Sequence, residues 1–257
     1  MKPLKGASEI EVSNLRRLIV RIGGHVKEGK TTWSLTAPVP LVYHDLNNRS
    51  EHVLDRFVGR GVYKYRYDKL MASEQPQWMY LWNQFKTDFA EAVENPDVRT
   101  IVIDTEGDLW ELRRLAEFGR NPAMPEKYGP LNRDIRNIFD TVIGTDKNLI
   151  VVSELKKKYI KKIVRSKGYE REIGDWDGTY EFGGWSGTSS KVEVNMEAAF
   201  DPKTKIFSTT IINCGINAVL AGRVYEGAES NFPFLAAEVF PDTGPEQWGY
   251  DDYVAGL

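Results

Sequence analysis

Cysteine is nearly missing from this 257-residue chain. Cys214 stands alone, which excludes an intramolecular disulfide and a cysteine-rich zinc site and suits a reducing compartment. A single such residue reads as a small core side chain. Long apolar runs are missing as well: no stretch approaches the roughly 18 residues that a membrane span needs, and Met1-Lys2-Pro3-Leu4-Lys5-Gly6 lacks the apolar core of a signal peptide. The expectation is a soluble cytoplasmic protein with no membrane contact. Excess positive charge is also lacking. A formal net charge of −3 gives no global attraction to nucleic acid, so such a role must rest on local segregation of charge. Hydrophobic content of 41% and aromatic content of 12% exclude a disordered chain.

What is present begins with Gly24-His25-Val26-Lys27-Glu28-Gly29-Lys30-Thr31, which fits the phosphate-cradling pattern G-x-x-x-x-G-K-T. It follows the apolar run Leu18-Ile19-Val20-Arg21-Ile22 as a loop follows a strand. Two glycines let the backbone curl until successive N–H groups point at phosphate oxygens. Lys30 then reaches the β- and γ-phosphates, Thr31 is the candidate Mg²⁺ ligand, and Thr32 extends the cofactor-binding stretch Gly24 to Thr32. The helix after the loop is short, because Pro38 and Pro40 lie so close.

A second motif is Thr100-Ile101-Val102-Ile103-Asp104-Thr105-Glu106, a short apolar run ending in an acid. This pattern predicts a buried parallel strand that presents Asp104 at its carboxyl end, as a support for Mg²⁺. Glu106 is open to two roles: a carboxylate that polarises the attacking water, or a first-turn acid favoured by the dipole of a helix over 108–118. Further strands are predicted at 41–45, 61–67 and 148–153, the last ending at the candidate sensor residues Ser153 and Glu154. Helices are predicted after Pro76, through the spacing of Trp78, Leu81, Trp82, Phe85, Phe89 and Val93, and over 131–143. An antiparallel pair, 191–197 with 206–212, closes around the turn Asp201-Pro202-Lys203-Thr204-Lys205.

Local charge segregation is present. Lys156, Lys157, Lys158, Lys161, Lys162, Arg165 and Lys167 crowd one segment, and the following Gly174–Gly187 stretch mixes glycines with Trp176, Tyr180, Phe182 and Trp185. Lysines bind a phosphate backbone without sequence preference, and bases of a single strand stack on aromatic rings. The plainer alternative is a solvated lysine face followed by a hairpin whose aromatics pack inward. Basic residues vanish after Arg223 while acids accumulate, which reads as an acidic tail that competes with nucleic acid in cis or recruits a basic protein partner. Wrapping of that tail around the domain through Phe232, Phe234, Phe240 and Trp248 is the competing reading. The expected organisation is a tail over 1–14, one domain over 15–225 with a basic and aromatic insertion at about 155–190, and the acidic tail over 226–257.

Taken together, the loop 24–31, the strand ending in Asp104-Thr105-Glu106 and the run Ile150-Val151-Val152-Ser153-Glu154-Leu155-Lys156 resemble phage-encoded RecA-like P-loop proteins of the AAA/RecA type. That group includes the single-strand annealing ATPases of phage recombination. The resemblance implies an α/β fold of RecA type, a mostly parallel sheet between helices with a C-terminal antiparallel strand pair. It also implies ATP and Mg²⁺ as cofactors, Lys30, Thr31 and Asp104 in the roles given above, self-association into a ring or filament, and single-stranded DNA as partner. One departure stands out: where such enzymes place a catalytic glutamate, this chain has His44-Asp45-Leu46-Asn47-Asn48, so Asn47 stands at the position of the base. Either Asp45 or Glu106 replaces it, or turnover is slow and the chain is a nucleotide-binding loader or regulatory module. A small-molecule kinase would need an arginine-rich lid that the sequence lacks.

Overall fold

The structure is a computed structural model that describes residues 16–120, 125–166 and 169–257. The segment read as an N-terminal tail, 1–14, lies outside the described residues. Strands and helices alternate along the first half: β1 (Ile19–Gly24), α1 (Lys30–Ser34), β2 (Leu41–Asp45), α2 (Glu51–Leu54), β3 (Val62–Arg66), α3 (Gln75–Glu94), β4 (Thr100–Asp104) and α4 (Glu106–Phe118). They continue with α5 (Gly129–Ile143), β5 (Asn148–Ser166), β6 (Tyr169–Phe182), β7 (Val194–Asp201), β8 (Ile206–Cys214), β9 (Val224–Glu226), α6 (Phe232–Val239) and α7 (Asp252–Ala255). One sheet runs in the order β3-β2-β4-β5-β1-β7-β8-β9, and β6 pairs only with β5. Strands β3 to β7 of that order are parallel, while β8 and β9 add on in antiparallel sense. This is the α/β class expected from the sequence.

The apolar runs that predicted strands are buried on both faces, which is why they read as continuous rather than alternating. Alternation still decides which face each side chain joins. Leu18, Val20, Ile22, Tyr43, Val102, Ile150 and Val152 point into one core layer with Trp33 of α1 and Phe232 of α6. Ile19, Val42, Ile101, Ile103, Leu149 and Val151 point into the other, against α3, α4 and α5. Local signals set the helix limits. Gln77 Oε1 accepts the Glu74 N–H at the start of α3, and Pro76 occupies its first turn. Thr105 caps α4 by accepting the Asp108 N–H at 3.2 Å, and Gly119 ends it at φ 66°.

One region differs from the sequence expectation, and in a second the structure chooses between two readings. The strand predicted over 148–153 does not stop there: β5 continues through the lysine-rich segment to Ser166 and returns as β6, with Lys157 opposite Tyr180 and Tyr159 opposite Trp176. At ~3.3 Å per residue the part beyond Glu154 reaches roughly 40 Å. The basic segment and the aromatic segment, read as successive stretches, are therefore the two strands of one arm. The C-terminal residues, meanwhile, carry core. Phe232, Leu235, Ala236, Val239 and Trp248 are buried, and Phe232 packs edge-on against Trp33 at 5.8 Å between ring centroids. Because α1 is a single turn, α6 covers apolar surface that a longer helix would otherwise shield. The late acids pair with the body of the chain, Asp242 with Arg16 at 2.5 Å, Asp251 with Arg60 at 2.5 Å and Glu238 with Arg223 at 2.9 Å.

Replacing Phe232 by Ala is expected to cost about 3–5 kcal/mol, since a fully buried aromatic side chain leaves a cavity that the sheet cannot fill. A urea titration followed by tryptophan fluorescence checks this, and an unchanged midpoint would contradict the packing.

Candidate functional site

Parallel strands end on the same side of the sheet, so Gly24 of β1, Asp45 of β2, Asp104 of β4 and Glu154 of β5 gather at one edge. The register sets Gly24 beside Glu154 and Asp104 beside both Asp45 and Val152. Strand alternation then sorts the side chains. Asp104 lies on the face of Val102, the α1 side, and Glu154 on the face of Val152, also the α1 side. Arg21 and Ser153 share the face of Ile19 and Val151, the α4 side.

On the α1 side, the loop 24–31 turns back over the sheet edge with Lys27 and Gly29 in left-handed conformation, at φ 70° and 78°. A side chain at Gly29 would meet Phe207 at 2.7 Å, so glycine answers both the backbone conformation and the space there. Lys30 is buried and its Nζ donates to the carbonyls of Gly24, at 3.0 Å, and of His25. Burial lowers its pKa, opposed by the charges of Asp104, Glu154 and Glu28. Thr31 Oγ1 donates to Asp104 Oδ2 at 2.7 Å, and Tyr43 Oη donates to the same oxygen at 2.6 Å. Burial pushes the Asp104 carboxyl up, and the two hydroxyl donors offset part of that shift. A hydroxyl and a carboxylate side by side are hard oxygen donors. They fit Mg²⁺, which takes one or two protein ligands and completes its shell with phosphate and water.

On the α4 side stands Glu106, and it is fully engaged. Its Oε2 meets Arg21 Nη2 at 2.8 Å and accepts from Ser153 Oγ at 2.9 Å. Its Oε1 accepts from the Trp185 N–H at 2.8 Å and from Thr188 Oγ1. Arg21 in turn donates to Ser153 Oγ at 2.9 Å and to the Gly183 carbonyl at 2.7 Å, with its guanidinium over Phe182 at 4.6 Å. Burial pushes the Glu106 carboxyl up and the Arg21 guanidinium down, and their mutual attraction works against both shifts. Of the two roles open to Glu106, this geometry supplies a structural one: the acid ties β1, β5 and the foot of the arm to the start of α4. Asp45 is engaged as well, by Ser50 Oγ at 2.5 Å, Lys64 Nζ at 2.9 Å and the Asn48 N–H at 2.9 Å.

The sensor candidates are split by the pleat. Ser153 joins the Arg21 cluster, whereas Glu154 is exposed on the α1 side and borders a groove with Asn47, Lys69 and Asp108. Of the arm residues, Lys156 and Lys158 are exposed and face Glu181 at 3.4 Å and Asp177 at 3.6 Å, and Lys157 Nζ lies 4.8 Å from the centre of the Trp176 ring. Exposed pairs of this kind are screened by solvent and hold the side chains only weakly. Lys161, Lys162 and Arg165 fall on β5 by backbone register, and Lys167 lies outside the described residues. The arm reaches the phosphate loop directly, because Tyr180 meets the His25 ring edge-on at 4.6 Å. Tyr43, Arg21 and Thr188 are not marked as site residues by the sequence, and Trp185, one of the aromatics offered for stacking, is buried against Glu106 instead. Arg21 alone carried a signal, as a charge inside an apolar strand that requires a buried partner.

A cavity of about 360 Å³ lies beside the loop, between Thr32, Trp33 and Phe207, with the C-terminal residues Val254 to Leu257 on its far wall. His44, at the end of β2, is fully buried among Tyr65, Tyr67, Phe85 and Phe89, and burial holds its pKa down to about 3. It is a neutral core residue.

No family model matches the chain, and no curated protein does. Among solved structures it is similar in outline to the crystal structure of the RadB recombinase, with a TM-score of 0.47 and 10% identity over 81% of this chain and 86% of that one. The functional reading rests on the site itself. Among the described residues no helix is long and apolar enough to cross a membrane.

Two expectations follow. Glu106→Ala leaves Arg21 buried without its partner and should cost about 3–5 kcal/mol in a denaturant titration, whether or not nucleotide is present. Asp104→Asn should raise the melting temperature of the nucleotide-free protein, by about 2–4 °C for each kcal/mol regained. The sign follows from an acid whose folded pKa is raised: below its unfolded value both states are protonated, and the cost of ionising it in the fold grows as pH rises. The gain from Asp104→Asn is thus small near pH 4 and larger toward about pH 7, which melting curves at the two pH values would reveal.

Proposed function

We propose that the chain binds and hydrolyses ATP with Mg²⁺ and couples that cycle to single-stranded DNA through the β5–β6 arm, as a RecA-like protein of phage recombination or replication. The observation that carries the reading is the 2.7 Å contact between Thr31 Oγ1 and Asp104 Oδ2, which joins the phosphate-loop hydroxyl to the acid at the end of β4. In this reading the N–H groups of 24–32 hold the phosphates, and Lys30 leaves the carbonyls of Gly24 and His25 for the β- and γ-phosphate oxygens. Thr31 and Asp104 hold the metal, which supplies neutralisation of charge on the transferred phosphoryl group. The neighbouring cavity takes the nucleoside. The exposed carboxylate of Glu154, within electrostatic reach of Lys30, stands in a better place to align water than Glu106, whose oxygens are occupied.

The arm presents lysines on one strand and aromatics on the other, a combination suited to a backbone of phosphates with stacked bases. The contact of Tyr180 with His25 supports a coupling between the loop and the arm. Self-association into a ring or filament belongs to the same proposal. A second reading is a nucleotide-binding loader or regulatory module with little turnover that binds a protein partner. Asn47, which is an amide where a base is expected, and the engagement of Asp45 and Glu106 favour it.

ATP hydrolysis by wild type and Lys30→Ala, with and without single-stranded DNA over a salt series, separates these. The first reading expects turnover that falls on the order of 10²-fold without Lys30, rises with DNA, and loses the rise between about 50 and 200 mM salt. Binding of nucleotide without turnover supports the second. Turnover indifferent to Lys30 removes both.

A further inference from the structure

Of the positions between the two loop glycines, the last is an acid, and its side chain does not point to solvent. Glu28 is half-buried and its Oε2 accepts the backbone N–H of His25, the first residue after Gly24. A side chain on Gly24 would begin 2.8 Å from the Ala198 carbonyl oxygen and 2.9 Å from the same Glu28 oxygen, so glycine at 24 leaves room for the neighbouring strand and for the carboxylate. Lys30 approaches from the other side, its Nζ on the carbonyls of Gly24 and His25 and its Cδ 3.4 Å from the same point over Gly24. A loop built to offer N–H groups and an ammonium to an anion is thus closed by an anion of its own. Lys27 and Gly29, on either side of Glu28, are both in left-handed conformation.

We propose that Glu28 is a built-in competitor for the phosphate cradle: its carboxylate holds the His25 N–H and must leave before phosphate can be bound. The inference rests on the nucleotide reading given above and adds a regulatory element to it. A carboxylate and a polyphosphate cannot share one set of donors, because two like charges at contact repel and the N–H group serves one acceptor. The exit lies open. Glu28 also borders the cavity beside Thr32 and Trp33, space next to the loop that its carboxylate can take up on leaving. Affinity for the phosphate end of the ligand is therefore reduced by the fraction of chains in which Glu28 occupies the loop.

The test is a calorimetric titration with ADP and with inorganic tripolyphosphate, a probe that has phosphates but no nucleoside. It compares wild type, Glu28→Gln, Glu28→Ala and Lys30→Ala, each checked for folding by circular dichroism. Glu28→Gln keeps the shape and removes the charge, so it guards against a loop disturbed by truncation. The expected result is binding of both probes about tenfold tighter in both Glu28 variants, with Lys30→Ala losing it. Equal or weaker binding in Glu28→Gln, while wild type binds through Lys30, overturns the competitor role and leaves the nucleotide reading standing. Absence of binding by folded wild type and folded Glu28 variants alike overturns both.

Discussion

The two-residue repeat of a pleated strand is the constraint on which the rest of this molecule depends. At the carboxyl edge of a parallel sheet it sends neighbouring residues to opposite faces, and both faces are occupied by charged groups. Asp104 and Glu154 turn toward the phosphate loop, and Arg21 and Ser153 turn toward α4. A shift of any of these strands by one residue would exchange the two sets, putting Arg21 against Lys30 and Asp104 into an aliphatic layer. The register is therefore protected twice, by hydrophobic matching and by the cost of a misplaced charge.

Both clusters are expensive in isolation, and they differ in how the cost is met. The Arg21–Glu106 pair is closed: each Glu106 oxygen has two partners, and the guanidinium is shared among Glu106, Ser153, Gly183 and the Phe182 ring. It fixes where the arm leaves the sheet. The Asp104 cluster is open by comparison, a buried acid satisfied by two neutral hydroxyls with a buried ammonium nearby.

Much of the fold was legible in the sequence, for reasons that are local. Apolar runs that end in a turn or an acid marked β1, β2 and β4, and the three- and four-residue spacing of Trp82, Phe85 and Phe89 marked α3. The phosphate loop was legible because spacing alone defines it. The engagement of Glu106 was not, since its partners Arg21, Ser153, Trp185 and Thr188 come from three separate stretches and meet only when β1 and β5 pair. The arm escaped notice as a strand because its lysines carry no apolar alternation; pairing with the aromatic strand, not burial, holds it extended. For residues 232–240 the charge pattern and the aromatic residues point to different roles, and the spacing of Phe232, Leu235, Ala236 and Val239 is that of a buried helical face.

The continuity of β5 has a mechanical consequence. A single strand lies between β1 and β4 in the middle of the sheet and runs without a break into the arm. A pull on the arm along its length is borne in shear, with the hydrogen bonds on both sides of β5 loaded together rather than peeled apart one by one. Twist applied at the far end likewise arrives between the strand that leads into the phosphate loop and the strand that ends in Asp104. The arm is a shaft seated in the centre of the sheet, and the edge that carries the loop 24–31 is its bearing.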